Sequence, residues 1–324
     1  MPVMRERLMM KLMEAQGFVS GARMSLDLGI SRGAVWKHIQ VLRQEGFAIA
    51  ASPRKGYRLL DVPDVLYAAV VNPLLTGGFG KPYHYRHSLT STNDTAKALA
   101  HSGAPEGTVV VAEEQTGGRG RRGRFWHSPP GGLWFSLILR PKTPPAEINS
   151  LSLVLSLAAA EGLEQLPGIS PSLKWPNDLL LGGRKVGGIL TEISAEADQV
   201  HYAVAGIGIN ANFTSFPPEI EQTATSLQAH SGGAVCRPRL LSALLTALED
   251  NYRRWCEKGF PPFRAAYKER FGLLGKTVSA ATPTGTLNGL VRDVDGDGNL
   301  ILTLRNGEEM RLSTGEITVR GEEH

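Results

Sequence analysis

Apolar residues in the first sixty positions recur at helical spacing, in short blocks that glycines separate. Ser20 and Ser31 each stand directly before such a block, where a serine side chain caps free backbone amides, and Gly29 supplies the turn between the two blocks. The predicted elements are helices over residues 4–16, 22–28 and 32–44 and a β-hairpin over residues 49–59. This order predicts a winged helix-turn-helix domain over residues 1–62.

After a short helical segment at residues 65–75, β-type runs and amphipathic helices are interspersed. The expected strands are residues 83–89, 108–112, 133–139 and 200–205 with a hairpin over 179–190, and the expected helices are residues 94–101, 151–166, 239–258 and 263–271. The pattern predicts a central α+β domain over residues 65–272, built on a mixed β-sheet with helices. Short β-type runs with polar turns follow and predict a small β-barrel over residues 273–324.

The composition of the 324 residues is that of a globular protein, with 42% hydrophobic and 20% charged residues. The first residues lack the apolar core of a signal peptide, and no apolar run is long enough to span a bilayer. Cys236 and Cys256 belong to no CxxC pair, so we expect two reduced thiols. These features predict a cytoplasmic protein without a membrane partner.

Positive charge is concentrated at the start of the chain. Residues 1–62 hold ten Lys or Arg and five Asp or Glu, whereas the whole chain has a formal net charge of only +4. A basic module on a near-neutral body predicts binding to a polyanion. The expected DNA contacts are Ser31, Arg32, Trp36 and Lys37 on the second helix of the motif and Arg54 and Lys55 on the wing. A small helical protein-interaction domain is the alternative, and Trp36 could equally be a core residue.

Residues 115–126, here called the basic loop, alternate four arginines with four glycines. The arginines are Arg119, Arg121, Arg122 and Arg124. Arginine binds phosphate or carboxylate at two points, and glycine lets a ligand approach the backbone. The loop connects two expected strands of one sheet, so we expect a flexible lid that becomes ordered around an anion. A solvated hairpin or a nucleic-acid-binding patch would have the same composition.

Three further segments carry candidate ligand groups. Ser91-Thr92-Asn93 stands at a strand-to-helix turn, where the side chains can cap the helix or face a ligand. In Lys174-Trp-Pro-Asn177-Asp178 the lysine could bind phosphate and Asp178 could position Mg²⁺, although an Asn-Asp turn explains the same residues. Lys185 precedes two glycines in an expected strand, where it is either a ligand-binding group or an exposed charge.

Three motifs imitate known binding sites, and we reject them. Residues 206–211 match a dinucleotide fingerprint, but the residues that follow cannot form the helix that the fingerprint opens. Gly275-Lys-Thr277 lacks the earlier glycine of a phosphate-binding loop, because that position is Arg270. The run from Asp293 begins like a calcium loop, but its twelfth residue is Leu304 and not glutamate, which favours a hairpin turn.

Taken together, these motifs resemble the bifunctional biotin protein ligases, the bacterial type that is also the repressor of the biotin operon. The matching residues are Ser91-Thr-Asn93, Gln115, Gly118-Arg-Gly-Arg-Arg-Gly123, Trp126, Lys174-Trp-Pro-Asn-Asp178, Lys185-Val-Gly-Gly-Ile-Leu190 and Gly206-Ile-Gly-Ile-Asn210. The resemblance covers nearly the whole chain. It implies a class II synthetase-like catalytic domain after the winged helix and an SH3-like barrel at the C-terminus.

The resemblance also implies a reaction and a role for each matching residue. Biotin would be activated with ATP and Mg²⁺ to biotinyl-5′-AMP and then transferred to a lysine of a biotin carboxyl carrier protein, with Lys185, Arg119 and Arg121 as catalytic groups. The biotin-binding residues would be Ser91, Thr92, Asn93, Gln115, Arg119, Gly120, Arg121 and Lys185, the ATP-binding residues Arg121, Arg122, Trp126, Lys174, Asn177 and Asn210, and the metal ligand Asp178.

As a repressor, a protein of this type would respond to biotinyl-5′-AMP by forming a homodimer that binds operator DNA, and its carrier would belong to acetyl-CoA carboxylase or a similar enzyme. Three other hypotheses compete. A lipoate–protein ligase would not normally carry a winged helix or this form of the basic loop. A regulator that binds a small acid without catalysis does not explain why Lys185 and the arginines of the basic loop occur together with Asn177-Asp178. A nucleic-acid-modifying enzyme would explain the basic loop but not residues 174–178.

Overall fold

The computed structural model of the chain describes residues 4–282 and 285–319. The outermost parts of the expected N- and C-terminal domains, residues 1–3 and 320–324, lie outside the described residues. The chain divides into two compact units, Met1–Leu74 and Leu75–His324. No helix among the described residues is both long and apolar enough to cross a membrane.

The first unit consists of three helices, a two-stranded sheet and a short fourth helix. Ser20 and Ser31 accept hydrogen bonds from the amides of Arg23 and Ala34, and Gly29 takes the left-handed conformation at φ 67°. The elements are α1 Met4–Glu14, α2 Gly21–Leu28, α3 Arg32–Gln44, β1 Ala48–Ser52, β2 Gly56–Asp61 and α4 Ala68–Val71. Because both serine caps and the hairpin stand where the sequence places them, the winged helix-turn-helix pattern is confirmed.

The second unit begins with an α+β region that surrounds a seven-stranded sheet. Its strands are β3 Tyr83–Leu89, β4 Val109–Gln115, β5 Leu133–Leu139, β6 Ser172–Lys174, β7 Asp178–Leu181, β8 Arg184–Ala195 and β9 Val200–Ile209. Its helices are α5 Thr92–His101, α6 Leu151–Leu163, α7 Leu227–Ser231, α8 Arg237–Lys258 and α9 Arg264–Arg270. The predicted helix over residues 151–166 is three residues too long, because the helical pattern ends at Leu163.

The seven strands lie in the order β3-β4-β5-β9-β8-β7-β6. The pair β3 and β4 is parallel, and the other neighbouring pairs are antiparallel, so the predicted mixed sheet is confirmed. Helix α5 packs against the centre of this sheet, where Ala96 and Ala100 meet Val110, Ile138 and Val204 in one buried cluster. Small side chains on that helix face let its backbone approach the sheet, which brings the first turn of α5 to the end of β4 and the middle of β5.

The last strands of the chain form a second, five-stranded antiparallel sheet. They are β10 Thr277–Thr282, β11 Gly285–Val294, β12 Leu300–Leu304, β13 Glu309–Leu312 and β14 Glu316–Val319, in the order β13-β12-β11-β10-β14. Within the described residues the two edge strands are not paired with each other, so the sheet is open there. Between β11 and β12, Asp295 accepts hydrogen bonds from the amides of Asp297 and Asn299, which confirms the predicted hairpin turn in place of a calcium loop.

Candidate active site

A cavity of about 800 Å³ lies in the second unit, between the first turn of α5, the basic loop, strands β6 to β9 and the C-terminal sheet. Its wall includes every residue that the sequence assigns to biotin, ATP or metal: Ser91, Thr92, Asn93, Gln115, Arg119, Gly120, Arg121, Arg122, Trp126, Lys174, Asn177, Asp178, Lys185 and Asn210. These residues come from segments more than one hundred positions apart. The structure therefore brings the separate motifs together at one site.

Side chains at the start of α5 serve the helix and the cavity at once. The Ser91 hydroxyl accepts a hydrogen bond from the Asp94 amide at 3.4 Å and caps the helix. The next residue, Thr92, donates its amide to Gln115 Oε1 at 2.8 Å, so β4 is tied to the helix start. Capping and ligand binding are not exclusive here, because both residues also line the cavity.

A buried network, here called the polar cluster, consists of Thr92, Asn93, Gln115 and Ser136. Ser136 Oγ lies 2.7 Å from Thr92 Oγ1 and 2.6 Å from Asn93 Oδ1. On the other side, Asn93 Nδ2 donates to Glu192 Oε2 at 2.7 Å. Ser136 is fully buried, and Thr92 and Asn93 are 3% and 5% exposed. Hydrogen bonds on every side fix these hydroxyl and amide groups before any ligand arrives.

Two glycines of β9 explain why residues 206–211 imitate a dinucleotide fingerprint. A Cβ on Gly206 would lie 2.1 Å from Asn93 Oδ1, and a Cβ on Gly208 would lie 2.7 Å from the indole Nε1 of Trp126. Both glycines lie inside a strand and open no helix, so the rejection of the fingerprint is confirmed. They are needed because Asn93 and Trp126 lie directly on the backbone of β9.

The opposite wall holds a preformed ion pair. Lys185 Nζ lies 2.6 Å from Asp178 Oδ1 and 5.0 Å from the centre of the Trp126 ring. The backbone of Lys185 is fixed as well, because its amide donates to Thr223 O and its carbonyl accepts from Thr225 N. The structure thus joins the expected catalytic lysine to the expected metal ligand.

The described residues contain no group of three or more His, Cys, Asp or Glu that could hold a metal ion. Asp178 is a single carboxylate on the cavity wall, and its side chain is 19% exposed. Mg²⁺ in phosphoryl-transfer sites is commonly held by one or two carboxylates together with the phosphates of the substrate. The donor set at Asp178 fits an ion that arrives with ATP.

Two further polar residues of the expected nucleotide site also hold nearby backbone. Asn177 Nδ2 donates to Ile189 O at 2.6 Å, and Asn210 Nδ2 donates to Thr225 O at 2.9 Å. These bonds join the turn after β6 to β8 and the end of β9 to residues 223–226. Both amides therefore shape the wall on the Lys185 side of the cavity.

The basic loop is folded as an irregular hairpin over the cavity. Its two arms are held by hydrogen bonds from Gln115 N to Ser128 O and from Trp126 N to Gly118 O, at 3.0 and 2.9 Å. Arg119 forms an ion pair with Asp94 on α5. The Arg119 guanidinium holds the pKa of the Asp94 carboxyl below its usual value by hydrogen bonding to the charged form. One arginine of the loop is thus attached to the helix that carries Asn93.

Two other arginines of the loop reach the C-terminal sheet. Arg121 donates to Gly315 O at 2.9 Å and to Thr314 Oγ1 at 3.2 Å, and Arg122 donates to Ala281 O at 2.9 Å. The sequence predicts a loop that becomes ordered around an anion, whereas these contacts order it against another part of the chain. Lys276, Gly315 and Ile317 of the C-terminal region also line the cavity, and the sequence analysis missed them.

Ser136, Glu192 and Asp94 are also supporting residues that the sequence analysis missed. The sequence does distinguish Ser136, because it is the single polar residue in the apolar run of β5. A hydroxyl in a buried strand needs a hydrogen-bond partner, so it indicates a polar contact. Glu192 and Asp94 carry no such signal, since isolated acidic residues on strands and helices are common.

In the first unit, all six expected DNA contacts are exposed: Ser31, Arg32, Trp36, Lys37, Arg54 and Lys55. Trp36 is 53% exposed, so it is not a core residue. The core of this unit is formed by other side chains of the helices, among them Val35 and Ile39 beside Trp36 on α3. Four of the six residues lie at the start of α3 and two in the turn between β1 and β2.

Comparison with known families agrees with this arrangement. Residues 85–210 match the biotin/lipoate A/B protein ligase family, residues 5–58 match a helix-turn-helix domain, and residues 273–320 match the biotin protein ligase C-terminal domain. The bifunctional ligase/repressor BirA of Bacillus subtilis is 42% identical over 294 residues, which are 90% of each chain.

The chain belongs to the biotin protein ligase family.

Other members of the family are similar to this chain at lower sequence identity. The bifunctional ligase/repressor BirA of Escherichia coli is 31% identical over 94% of each chain. Among solved structures, the biotin protein ligase of Aquifex aeolicus in complex with biotin and ATP superposes with a TM-score of 0.64 at 33% identity, over 73% of this chain and 97% of that one. The predicted resemblance to bifunctional biotin protein ligases is confirmed.

Proposed function

We propose that the chain is a biotin protein ligase that activates biotin with ATP and transfers it to a lysine of a biotin carboxyl carrier protein. One observation carries the proposal: the polar cluster, the basic loop and the Lys185–Asp178 pair line the same cavity. The family membership supports it, as does the solved ligase with biotin and ATP bound. The neutral ring system of biotin suits the buried hydroxyl and amide groups, and its carboxylate suits the cationic wall.

In the first half-reaction, a carboxylate oxygen of biotin attacks the α-phosphorus of ATP and pyrophosphate leaves. Ser91, Thr92, Asn93 and Gln115 hold biotin, while Lys185, Arg119 and Arg121 face its carboxylate and the phosphate. Cations beside the biotin carboxylate and the α-phosphate stabilise the negative charge of the transition state and so lower the activation barrier. The fixed orientation of biotin and ATP supplies the remaining acceleration. Mg²⁺ bound with ATP at Asp178 would neutralise phosphate charge.

In the second half-reaction, the amine of a carrier lysine attacks the acyl carbon of biotinyl-5′-AMP, an amide forms and AMP leaves. This chain needs no nucleophilic side chain for either step. The task of the basic loop is to keep water from the reactive adenylate until the carrier arrives. ATP is bound by Arg121, Arg122, Trp126, Lys174, Asn177 and Asn210.

The first unit supplies the second activity that we propose, repression of biotin-synthesis genes. Exposed residues at the start of α3 and in the wing bind operator DNA in the cytoplasm, and biotinyl-5′-AMP acts as the corepressor. A dimer that forms on adenylate binding would match a two-fold operator. Sedimentation with and without biotinyl-5′-AMP tests this part, since an unchanged sedimentation coefficient contradicts it.

The proposed domains are the winged helix at 1–62, the catalytic domain at 65–272 and the C-terminal domain at 273–324. The matched helix-turn-helix and C-terminal segments, residues 5–58 and 273–320, support the outer two. We propose that the open five-stranded sheet is an SH3-like barrel in its complete form.

The experiment that tests the ligase is pyrophosphate release with ATP and Mg²⁺, in the presence of biotin or of lipoate. We expect release with biotin that Lys185→Ala abolishes and that Arg184→Ala, a change at the exposed neighbouring position, leaves intact. Release with lipoate instead would favour a lipoate ligase. Tight biotin binding without release would mean a regulator that senses biotin without catalysis.

A further inference from the structure

The cations on the cavity wall differ in how their side chains are paired. Arg119 and Lys185 are already paired with the carboxylates of Asp94 and Asp178. In contrast, the side chains of Lys174 and Lys276 form no hydrogen bond or ion pair with any residue of 4–282 or 285–319, although both line the cavity. Two unpaired ammonium groups on one wall leave positive charge that a bound anion would neutralise.

The backbone brings together the two segments that carry these lysines. Leu173, next to Lys174 on β6, accepts a hydrogen bond from Gly272 N at 3.1 Å and forms a parallel bridge with Phe271. Four residues after Gly272, a turn ends at Lys276. The segment that enters the C-terminal sheet therefore runs along β6, and it delivers Lys276 to the wall that carries Lys174.

The turn that presents Lys276 is rigid. The amide of Lys276 donates a hydrogen bond to Leu273 O at 3.0 Å, and the carbonyl of Lys276 accepts one from Val291 N at 2.9 Å. Gly275 takes φ 73° and donates its amide to Val291 O at 2.9 Å, so Val291 of β11 is bonded to both Gly275 and Lys276 at the end of the turn. The backbone of Lys276 is therefore held in place, and its side chain is exposed.

We propose that Lys276 binds the β- and γ-phosphates of ATP, together with Lys174, and holds pyrophosphate as it leaves. The proposal rests on the proposed ligase function. Carboxylate attack has to occur at the α-phosphate beside Lys185 and Arg119, so the remaining phosphates need cations elsewhere. Those two phosphates carry most of the charge of ATP, and an ammonium group binds phosphate as a point charge. The C-terminal domain thereby contributes a substrate-binding residue.

The two directions of the first half-reaction give a selective test. In Lys276→Ala, we expect the KM for ATP in pyrophosphate release to rise about 10-fold or more, because one charge-assisted contact is lost. The KM for pyrophosphate, measured as ATP formation from biotinyl-5′-AMP, should rise by a similar factor. The affinity for biotinyl-5′-AMP should stay unchanged, since that ligand lacks both phosphates.

Two further variants separate charge from structure. Lys276→Arg keeps the cation and should restore both constants to within about 3-fold of the wild type. Arg292→Ala removes an exposed cation from β11 of the same sheet, away from the cavity, and should change neither. Unchanged KM values for ATP and pyrophosphate in Lys276→Ala overturn the proposal, and so does a rise confined to the KM for the carrier protein, which would make Lys276 a docking residue.

Failure of the ligase function can be distinguished from failure of this proposal. If the wild type releases no pyrophosphate, the ligase function fails, and calorimetric titration of ATP with Mg²⁺ into wild type and Lys276→Ala still measures the phosphate contact. If the wild type is active and the variant binds ATP, pyrophosphate and biotinyl-5′-AMP with wild-type constants, the ligase stands and only the role of Lys276 is wrong.

Discussion

The two ends of the cavity differ in how deeply their polar side chains are buried and in what holds them. At the end formed by α5 and β5, Thr92, Asn93 and Ser136 are at most 5% exposed, and neighbouring side chains hold their polar groups. At the other end, the basic loop covers the cavity, and the side chain of its Arg119 is 38% exposed and forms an ion pair with Asp94. We call the first the fixed end and the second, whose charged groups are exposed to solvent, the adaptable end.

This difference follows from what each end has to bind. A neutral, rigid ring system can be recognised by fixed hydroxyl and amide groups, because an unmade hydrogen bond in a buried site is costly and discriminates against the wrong ligand. Two anions that must react with each other need cations beside the reacting groups and a cover that opens for the carrier.

The largest effect is expected for Gly206→Ala at the fixed end. The added Cβ would lie 2.1 Å from Asn93 Oδ1, so Asn93 has to leave its position. We expect biotin affinity to fall about 100-fold or more and the free energy of unfolding to fall by about 1–3 kcal/mol. Isothermal titration and chemical denaturation measure both. Gly233→Ala, where the same methyl group meets open space, is the control, and equal behaviour of the two variants would contradict the fixed end.

The next effect concerns the adaptable end, in Arg121→Gly. The variant loses the hydrogen bonds to Gly315 O and Thr314 Oγ1, and glycine raises the backbone entropy that ordering the loop must overcome. We expect release of biotinyl-5′-AMP into solution to rise about 10-fold to 30-fold, measured as steady-state pyrophosphate release without a carrier. Thr314→Val should give a smaller rise, and unchanged retention in Arg121→Gly would show that the loop does not enclose the adenylate.

Ser136→Ala should have a moderate effect on the fixed end. It removes the hydroxyl that joins Thr92 to Asn93, at a fully buried position. We expect a loss of about 1 kcal/mol in unfolding free energy and about 10-fold in biotin affinity. Ser152→Ala, which removes a hydrogen bond to Thr191 away from the cavity, should leave biotin affinity unchanged. A Ser136→Ala variant with wild-type affinity would mean that the polar cluster needs no support.

The smallest effect is expected at the link between the two ends, in Asp94→Asn. Arg119 lowers the pKa of Asp94 in the folded state, so the contribution to stability is complete above the unfolded pKa of about 4 and is lost as pH falls through the lower folded value. Because both side chains are more than a third exposed, we expect less than about 1 kcal/mol at pH 7. Denaturation of wild type and variant at pH 7 and near pH 2 measures the difference, and a difference that persists at low pH would contradict the ion pair as its cause.

Much of the site could be predicted from the sequence, because its residues stand in short motifs with a local reason. Ser91 and Ser31 are serine caps, and Gly206 and Gly208 are glycines in a strand, each readable from neighbours within a few positions. The contact of Arg121 with Gly315 joins residues nearly two hundred positions apart, and no local pattern announces it. No local pattern distinguishes Lys276 from other exposed lysines either. Only the position of its turn, which follows the segment bonded to β6, shows that it lines the cavity.

The sequence by itself determined most of the helices and strands, the basic loop and the motifs that mark the family, since each depends on periodicity, capping or composition over a few residues. Only the tertiary structure decided how charges are paired. It joined Lys185 to Asp178 and Arg119 to Asp94, and it left Lys174 and Lys276 without partners among the described residues. Pairing depends on distances between segments that are remote in the chain, and long-range packing sets those distances.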